Sequence, residues 1–488
     1  MVFRRFGNRY TAIAWGVAVA LSLPVGAHAA DQTTQTTHKK APTTREKQLE
    51  QRVDQLEQEL AELKGMIQQQ RAETAQATQT ATQAQQTAQT AQAQVQTVAA
   101  APPAPATKPQ FVTAPGVTVA LHGWVDVSAF SQSKNFNFGN GANAEYPVPG
   151  NKGSLSGVDI RNTRFWLDFT GAKFAGDWVG GGRIEMDFFG GFNGTGAYAQ
   201  QQAIPRLRQG YMDLINPNSG TTVRIGQEWD LLFPLDMIPT SLSHIAFPLG
   251  FSTGVIGWRY PGAILMQDLN HGAEGTQWRL DLAAFEGSWS GPGNTTNFGT
   301  AGSAGFRPQL EARLHAQGED WLAFAVGHYS KMDLHGVGDA VPVPPIKSDI
   351  TSTAFELGAN WRPGPWNLKA LVYTGNALGQ VFGAESQFGD IKETGGFVQA
   401  GYNFTKNWSV NAFYSMVNPS KDDVVRWIGQ GATGSLKNRQ AALSLQYAAG
   451  AYELGVEVLH DKLDSTTNGA VVRTTTGNQV SLNGLYKF

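Results

Sequence analysis

Charged side chains recur at alternate positions of several short segments, and this spacing suggests a charged surface in contact with water. In the segment RFWLDF that begins at Arg164, the Phe and Leu side chains share one side of an extended chain. Because neighbouring side chains of a strand point to opposite faces, Arg164 and Asp168 share the other side. The arginines that we predict to line one wet wall are Arg164, Arg183, Arg206, Arg208 and Arg224.

The chemistry predicted for such a wall is anion recognition. A guanidinium group stays charged and offers a planar fork of donors to a carboxylate or a phosphate. The parity is less distinct at Arg206 and Arg208, because apolar residues fall on both sides of that segment. A second interpretation is that arginines and carboxylates pair with each other only to make the surface rigid.

The stretch from Gln227 to Gly250 is more apolar than the other predicted connections and contains no Lys or Arg. Apolar side chains are unfavourable in water, so we expect this loop to fold inward and to narrow any passage there. Its acidic residues would then face the arginines and create a transverse field that orients charged solutes. The predicted acidic residues of this constriction are Glu228, Asp230 and Asp236.

Alternating segments of about ten residues recur from Pro115 to the end of the chain, as in a transmembrane barrel. Short turns and long connections rich in Gly, Asn and Pro alternate between them. The predicted fold class is all-β, a transmembrane antiparallel up-and-down β-barrel of about sixteen strands over residues 115–488, with fourteen or eighteen strands as alternatives. A barrel of this width leaves an aqueous channel. The predicted strands start near Gly116, Val158, Asp177, Ile204, Thr221, Phe251, Gly275, Phe306, Trp321, Thr351, Trp366, Gly395, Asn407, Leu436, Ala451 and Asn478.

The last predicted strand, from Val480 to Phe488, is apolar on one side only and ends on an aromatic residue. Such an ending is typical of the final strand of a bacterial outer-membrane barrel, with lipid outside and water inside. We expect outer-membrane lipid to surround the barrel. Tyr486 and Phe488 are the predicted signal for the barrel-assembly machinery.

Residues 1–29 have the pattern of a secretory signal peptide. Arg4, Arg5 and Arg9 precede an apolar run from Ala12 to Val25 and a small-x-small site at Ala27 to Ala29. A membrane anchor is the alternative, but a run of about 14 residues is shorter than the roughly 20 that a helix needs to span hydrocarbon. We therefore predict export to the outer membrane of a Gram-negative bacterium, with the amino-terminal segment in the periplasm.

After a mature amino-terminal extension (30–46), the sequence predicts a periplasmic coiled coil (47–71) and a tether (72–114). Apolar residues of the coiled coil recur at alternating spacings of four and three, and opposite charges at its flanks favour parallel self-association. A single amphipathic helix is the alternative. The tether is rich in Ala, Gln, Thr and Pro, so the helices could reach a periplasmic or cell-wall component. The predicted core of the coiled coil is Leu49, Val53, Leu56, Leu60, Leu63 and Ile67.

The order of these modules resembles the DcaP-like porins. The resemblance covers the signal peptide, coiled coil, tether and barrel, the sequence RIGQ that ends at Gln227, and the terminal Phe488. It implies a homotrimeric outer-membrane channel with an inward third loop and a basic constriction. It also implies passage of small negatively charged organic molecules such as dicarboxylates. A phosphate-type anion porin is an alternative, and a general or sugar porin is another, with Trp124 and Trp166 as inward-facing aromatic residues.

Other functions are disfavoured by composition and by missing motifs. The 488 residues contain no Cys, which excludes cysteine nucleophiles and cysteine-ligated zinc. No His-Glu-x-x-His motif is present in the sequence, so we do not expect an enzyme, although an outer-membrane barrel enzyme is the distant alternative. A net charge of −2 argues against nucleic-acid binding. We predict neither a cofactor nor a metal site.

Overall fold

The computed structural model describes Lys64 and residues 110–114, 116–137, 141–150, 153–191, 203–286, 308–333 and 346–488. The predicted signal peptide, the predicted coiled coil apart from Lys64, and most of the predicted tether lie outside these residues. Within the described ranges, no helix is both long enough and apolar enough to cross a membrane.

Strand formation follows from the alternation of side chains along the chain. In the strand Asp349–Trp361, residues alternate between buried and exposed over almost the whole length. Phe355 and Leu357 are 51% and 45% exposed, whereas Glu356 between them is fully buried. Only in an extended chain do successive side chains point to opposite faces, so that one is buried and the next is exposed.

Long antiparallel strands account for most of the described secondary structure. One short α-helix, three single-turn 3-10 helices and two minor hairpin strands belong to the described connections between them. The elements are β1 Gln110–Ala114, β2 Val117–Gln132, β3 Phe136–Asn137, β4 Tyr146–Pro147, β5 Leu155–Asp159, β6 Arg164–Lys173, β7 Val179–Asp187, β8 Arg206–Asn216, β9 Thr221–Trp229, β10 Arg259–Asp268, β11 Gln277–Glu286, β12 Pro308–Gln317, β13 Trp321–Asp333, β14 Asp349–Trp361, β15 Trp366–Asn376, β16 Lys392–Asn403, β17 Trp408–Pro419, α1 Lys421–Trp427, β18 Ser435–Ala449, β19 Tyr452–Thr466 and β20 Val472–Lys487.

The long strands pair with their sequence neighbours, and β20 pairs with β2 to close the ring. The main sheet has 18 strands. Two of them are short. β1 pairs with the start of β2. β5 pairs with the last residues of β2, beyond the part of β2 that pairs with β6. The remaining sixteen long strands form a closed antiparallel barrel, which confirms the predicted fold class and strand number. The β1 pairing lies before residue 115, within the range predicted as tether.

Connections of two kinds alternate around the barrel. Turns such as 318–320 and 450–451 lie at the rim where β2 begins and β20 ends, and longer connections lie at the opposite rim. In outer-membrane barrels the rim with the short turns faces the periplasm. The long connections of this chain, among them 230–258, 377–391 and 420–434, therefore belong to the extracellular side.

Two strand starts lie six residues from their predicted positions, since β6 begins at Arg164 rather than near Val158 and β20 begins at Val472 rather than near Asn478. A third prediction misses by more. The strand expected near Phe251 begins at Arg259 instead. Phe251 forms an isolated bridge with Val255, and both side chains are buried. The segment resembles a strand because apolar residues are closely spaced in it, but these side chains pack among other connections inside the lumen. An inward loop needs the same apolar residues that a strand would present to lipid.

The outer surface of the barrel is apolar, as lipid requires. Large apolar side chains are exposed on strands all around the ring, including Leu265, Leu357, Val398 and Leu482. Phe488 completes the last strand by exchanging backbone hydrogen bonds of 3.1 and 3.0 Å with Gly123. The barrel is thus built to span the outer membrane. Aromatic side chains also contact each other near the periplasmic rim, in the pairs Trp366 with Tyr402, Trp408 with Tyr447, and Tyr452 with Tyr486.

Gly226 permits the close approach of β8 and β9 just below the point where the chain turns inward. Its φ is +139°, and a β-carbon there would lie 2.3 Å from the Gly210 carbonyl oxygen. We expect Gly226→Ala to destabilise the barrel by about 2 kcal/mol, because both the conformation and the contact oppose a side chain. Gly327→Ala is the matched control, since no atom lies within 4 Å of the point that its β-carbon would occupy. The temperature at which the folded electrophoretic band disappears should fall only for Gly226→Ala, and equal temperatures would contradict the assignment.

Candidate functional site

The five predicted arginines lie side by side on the inner surface of four neighbouring strands. The register places Arg164 opposite Asp187, and Arg183 opposite Asp168. Phe165 and Leu167 take the opposite parity, so the arginines share the lumen side. We call this set the arginine wall: Arg164 on β6, Arg183 on β7, Arg206 and Arg208 on β8, and Arg224 on β9.

Carboxylates of the same strands interleave with the arginine wall. Every one of its arginines lies within ion-pair distance of an inward-facing Asp or Glu. The strand register explains this arrangement, because it places inward arginines directly opposite inward carboxylates of the next strand, as for Asp187 with Arg206 and Asp213 with Arg224. The pairs are Arg164 with Glu185 at 3.7 Å, Arg183 with Asp168 at 2.7 Å, Arg206 with Asp187 at 2.7 Å, Arg208 with Glu185 at 2.6 Å, and Arg224 with Asp213 at 2.8 Å.

A bulge determines the position of Arg208. The register between β7 and β8 shifts at Glu185 and Met186. Arg208 consequently reaches Glu185 at 2.6 Å and Asp187 at 2.7 Å, and its side chain is only 3% exposed. The bulge also explains why the apolar residues of this strand are irregularly spaced. That irregular spacing made the parity of Arg206 and Arg208 indistinct in the sequence.

A sixth arginine, Arg259 at the start of β10, extends the wall. Its guanidinium lies over Trp258 at 4.3 Å and over Trp229 at 4.8 Å. The residue is 6% exposed, and its Nε and Nη1 have no hydrogen-bond partner within the described part of the chain. Sequence reasoning missed Arg259 because the strand was started too early. Counting every second residue back from the buried Ile264 places Tyr260, and not Arg259, on the lumen side. Arg259 lies at the junction with the preceding connection, where the strict alternation ends.

The connection from Asp230 to Trp258, here called the inner loop, lies inside the barrel. Leu232, Phe233 and Ile256 are buried in a core shared with inward residues of the barrel wall. Polar contacts fix the loop to distant strands. Thr240 N donates to Gln399 Oε1 at 2.7 Å, Lys369 Nζ donates to the Ile238 carbonyl at 2.6 Å, and Ser241 Oγ donates to Glu457 Oε2 at 2.6 Å.

The three acidic residues predicted to face the arginines take different positions. Glu228 contacts Arg224 at 2.5 Å, but from the same strand rather than from across the lumen. Asp230 is buried and caps the ends of the inner loop by accepting from Phe233 N and Trp258 N. Asp236 lies 3.5 Å from His315 on β12. Within the described residues, neither Asp230 nor Asp236 forms an ion pair with the arginine wall, because Asp230 caps the ends of the loop and Asp236 lies against β12.

A cavity of about 210 Å³ lies between part of the arginine wall and the inner loop. Arg164, Arg183, Arg208 and Arg224 line it on one side. Apolar residues of the inner loop, including Phe233 and Ile245, line the other side. A solute in this space meets charge on one flank and an apolar surface on the other.

Two further connections fold inward, which the sequence did not indicate. In residues 141–150, the Ala142 carbonyl accepts from Ser243 Oγ at 2.6 Å. In residues 377–391, Val381 is fully buried and its carbonyl accepts from Gly257 N at 2.7 Å. Both connections therefore hold the inner loop from its extracellular side. Neither has the long apolar run that marked the inner loop in the sequence.

Asp187 organises the arginine wall, because its fully buried carboxylate binds Arg206 and Arg208 together. We expect Asp187→Asn to destabilise the barrel by about 3 kcal/mol, since two partly buried guanidinium groups lose their shared counter-charge. Asp177→Asn, on an exposed periplasmic turn, is the control. Thermal unfolding of the purified protein measures both changes, and an unaltered unfolding temperature for Asp187→Asn would refute this role.

Buried carboxylates lie where the two further connections meet the barrel. Glu145, Glu385 and Asp461 are 2%, 1% and 0% exposed, respectively. Burial raises the pKa of Glu385 to about 8. Burial, followed by the charges of Asp461 and Glu385, raises the pKa of Glu145 well above its usual range. Packing of these connections thus favours the protonated carboxyl groups.

The raised pKa of Glu385 gives this packing a pH dependence of known sign. A group whose pKa is higher in the folded state stabilises that state at low pH, and this stabilisation is lost as pH rises from about 4.5 through about 8. We expect hydrogen exchange in residues 377–391 to be faster at pH 9 than at pH 6. Glu385→Gln should reduce the difference, whereas the exposed Glu319→Gln should preserve it. A pH-independent exchange rate in the unaltered protein would show that Glu385 does not control the packing.

Comparison with known proteins agrees with this architecture. No protein-family model matches the chain, and no curated protein matches it in sequence. The outer membrane channel DcaP of Acinetobacter baumannii superposes with a TM-score of 0.56 at 18% identity, over 78% of this chain and 99% of that chain. An anion-selective porin from Comamonas acidovorans matches at 14% identity with a TM-score of 0.49, over 76% of this chain and 100% of that chain. Salmonella typhi OmpF matches at 14% identity with a TM-score of 0.49, over 78% of this chain and 100% of that chain. At such identities the similarity to DcaP concerns the fold, and the chain has the sixteen-stranded fold of outer-membrane porins.

Proposed function

We propose that the protein is an outer-membrane diffusion channel that favours small hydrophilic anions such as dicarboxylates. The observation that carries this proposal is a local excess of positive charge on the arginine wall. Near the extracellular end of the wall, four arginines lie close to only two carboxylates. The arginines are Arg164, Arg206, Arg208 and Arg259, and the carboxylates are those of Glu185 and Asp187. Toward the periplasm the sign of the local charge reverses, because the two arginines Arg183 and Arg224 meet three carboxylates, Asp168, Asp213 and Glu228.

The excess charge is placed where water cannot screen it well. Arg259 is too deeply buried to touch a passing solute, but it shares Trp229 with Arg208 and Trp258 with Arg206. Charges near a low-dielectric wall act over longer distances than charges in bulk water. Arg259 therefore adds to the field that an anion meets at Arg208 and Arg164, which do line the cavity.

The lumen-facing tryptophans support an anion channel rather than a sugar channel. A sugar path needs free aromatic faces for stacking, but Trp124 carries the Arg164 guanidinium at 4.9 Å. Trp166 is stacked on His122 at 5.4 Å and carries Arg183 at 5.5 Å. These rings hold the arginines in place. A carboxylate solute and a phosphate solute use the same donors, and competition between succinate and phosphate in single-channel currents separates them.

We also propose that the channel assembles as a homotrimer. An apolar outer surface allows barrels to pack against each other within the membrane, and the coiled coil predicted at residues 47–71 would add parallel self-association in the periplasm. Closure of the ring by β2 and β20 of one chain means that each copy forms its own channel.

Charge selectivity in planar bilayers tests the proposed function. We expect the unaltered protein to pass chloride more readily than potassium, and the double variant Arg164→Gln with Arg259→Gln to lose at least about threefold of that preference, because two poorly compensated charges are removed. The exposed Arg362→Gln is the control. The preference should also weaken as salt rises, through screening.

Folding must be checked in the same samples, since Arg259 is buried. The heat-dependent electrophoretic shift and the open-channel conductance report an intact barrel. Potassium preference in the unaltered, folded protein would overturn the proposal. So would an unchanged preference in a double variant that forms channels of normal conductance.

A further inference from the structure

The outer surface of the barrel carries a polar groove just above its apolar belt. The groove lies across strands β14 to β17 near the extracellular rim and has a volume of about 690 Å³. Below it, on the same outward faces, Phe355, Val372 and Val398 are 51%, 57% and 54% exposed. The outward polar side chains that line it are Thr353, Thr374, Asn376, Lys392, Thr394 and Asn418.

A row of outward cations continues from this groove onto β18 and β19. Lys437 and Arg439 have the parity of Leu443, which is 50% exposed, and Arg439 pairs in register with Lys462. Arg439 forms an ion pair with Asp464. Across the described ranges, Lys392, Lys437 and Lys462 have no carboxylate within ion-pair distance. The outer rim consists of the groove and this row.

The outer rim has a net positive charge. Its cations are Lys392, Lys437, Arg439 and Lys462. Its acids are Asp464 and, at the edge of the groove, Asp423, which accepts from Lys392 N at 3.2 Å. Four positive and two negative groups leave an excess of two positive charges.

The opposite ends of the same strands have a different composition. Toward the periplasm, the outward positions hold aromatic residues, among them Trp361, Trp366, Tyr402 and Trp408. Aromatic rings suit a membrane interface of ordinary phospholipids. Threonine, asparagine and lysine at the extracellular ends offer hydrogen bonds and charge instead. The two leaflets therefore meet chemically different surfaces on this side of the barrel.

We propose that the outer rim binds the phosphorylated sugar headgroup of a glycolipid in the outer leaflet. The lysines match phosphate groups, as basic sites at membrane surfaces do. The hydroxyl and amide groups of the groove match sugar hydroxyls, and the acyl chains lie along Phe355, Val372 and Val398.

Titration of the detergent-purified full chain, followed by native mass spectrometry, tests the proposal. The probes are a bisphosphorylated disaccharide glycolipid, its dephosphorylated form, a zwitterionic phospholipid and inorganic phosphate. We expect the bisphosphorylated glycolipid to bind at least about tenfold more tightly than the other three, because only it satisfies both the lysines and the groove.

Two double variants make the test specific. Lys437→Gln with Lys462→Gln should weaken glycolipid binding by about tenfold. Thr374→Val with Thr394→Val should weaken binding of the glycolipid and leave the charge of the rim intact. As the matched control, Lys173→Gln with Lys406→Gln removes two exposed lysines near the periplasmic rim and should leave the affinity unchanged.

The outcomes that would overturn the proposal are distinct. Equal binding of the phosphorylated and dephosphorylated glycolipids would overturn it, as would an unchanged affinity in the Lys437 and Lys462 variant. A lower number of copies per particle in that variant would assign the face to subunit contact instead. The lumen plays no part in this readout, so a failure of anion selectivity would leave the result intact.

Discussion

Each strand of this barrel has lipid on one side, so its polar side chains must find their partners in the lumen. Bilayer hydrocarbon offers no hydrogen bonds, and the alternation of side chains sends every second residue inward. The lumen thus receives charged residues from many strands at once. Ion pairs between neighbouring strands, such as Arg183 with Asp168 and Arg224 with Asp213, are the local solution. The charge left over after this pairing defines the site.

The lumen divides into an apolar part and a charged part. The inner loop packs its Leu, Phe and Ile side chains against inward apolar residues of other strands, such as Phe285 on β11, Leu371 on β15 and Phe397 on β16. Burial of this kind contributes about 25 cal/mol for each Å² of apolar surface removed from water. At the arginine wall the loop instead makes polar and cation–π contacts, such as the hydrogen bond of 3.3 Å from Arg164 Nη2 to the Ile245 carbonyl, and leaves a cavity beside them. Water and solute are left with the charged flank.

Sequence periodicity predicts more of the wall than of the loops, for physical reasons. The position of Arg164 can be predicted without tertiary information. Successive side chains of a strand point to opposite faces, and the apolar neighbours of Arg164 must face the lipid. Arg208 depends on a bulge, which periodicity signals only as an irregular pattern. Arg259 and Asp230 depend on where the inner loop ends, and Phe251 gives a misleading signal there because a buried loop and a lipid-facing strand need the same residues. The inward path of residues 141–150 rests on single hydrogen bonds such as that from Ser243, which no local pattern encodes.

The hydrogen bonds that tie the inner loop to β15, β16 and β19 have a mechanical consequence. A ring of strands can flatten into an oval at little energetic cost, since every strand keeps both neighbours. A segment that is hydrogen-bonded to strands on both sides of the ring prevents that deformation. The inner loop thus holds the barrel wall in a fixed shape, and the diameter of the pore should stay constant when lateral pressure in the surrounding bilayer changes.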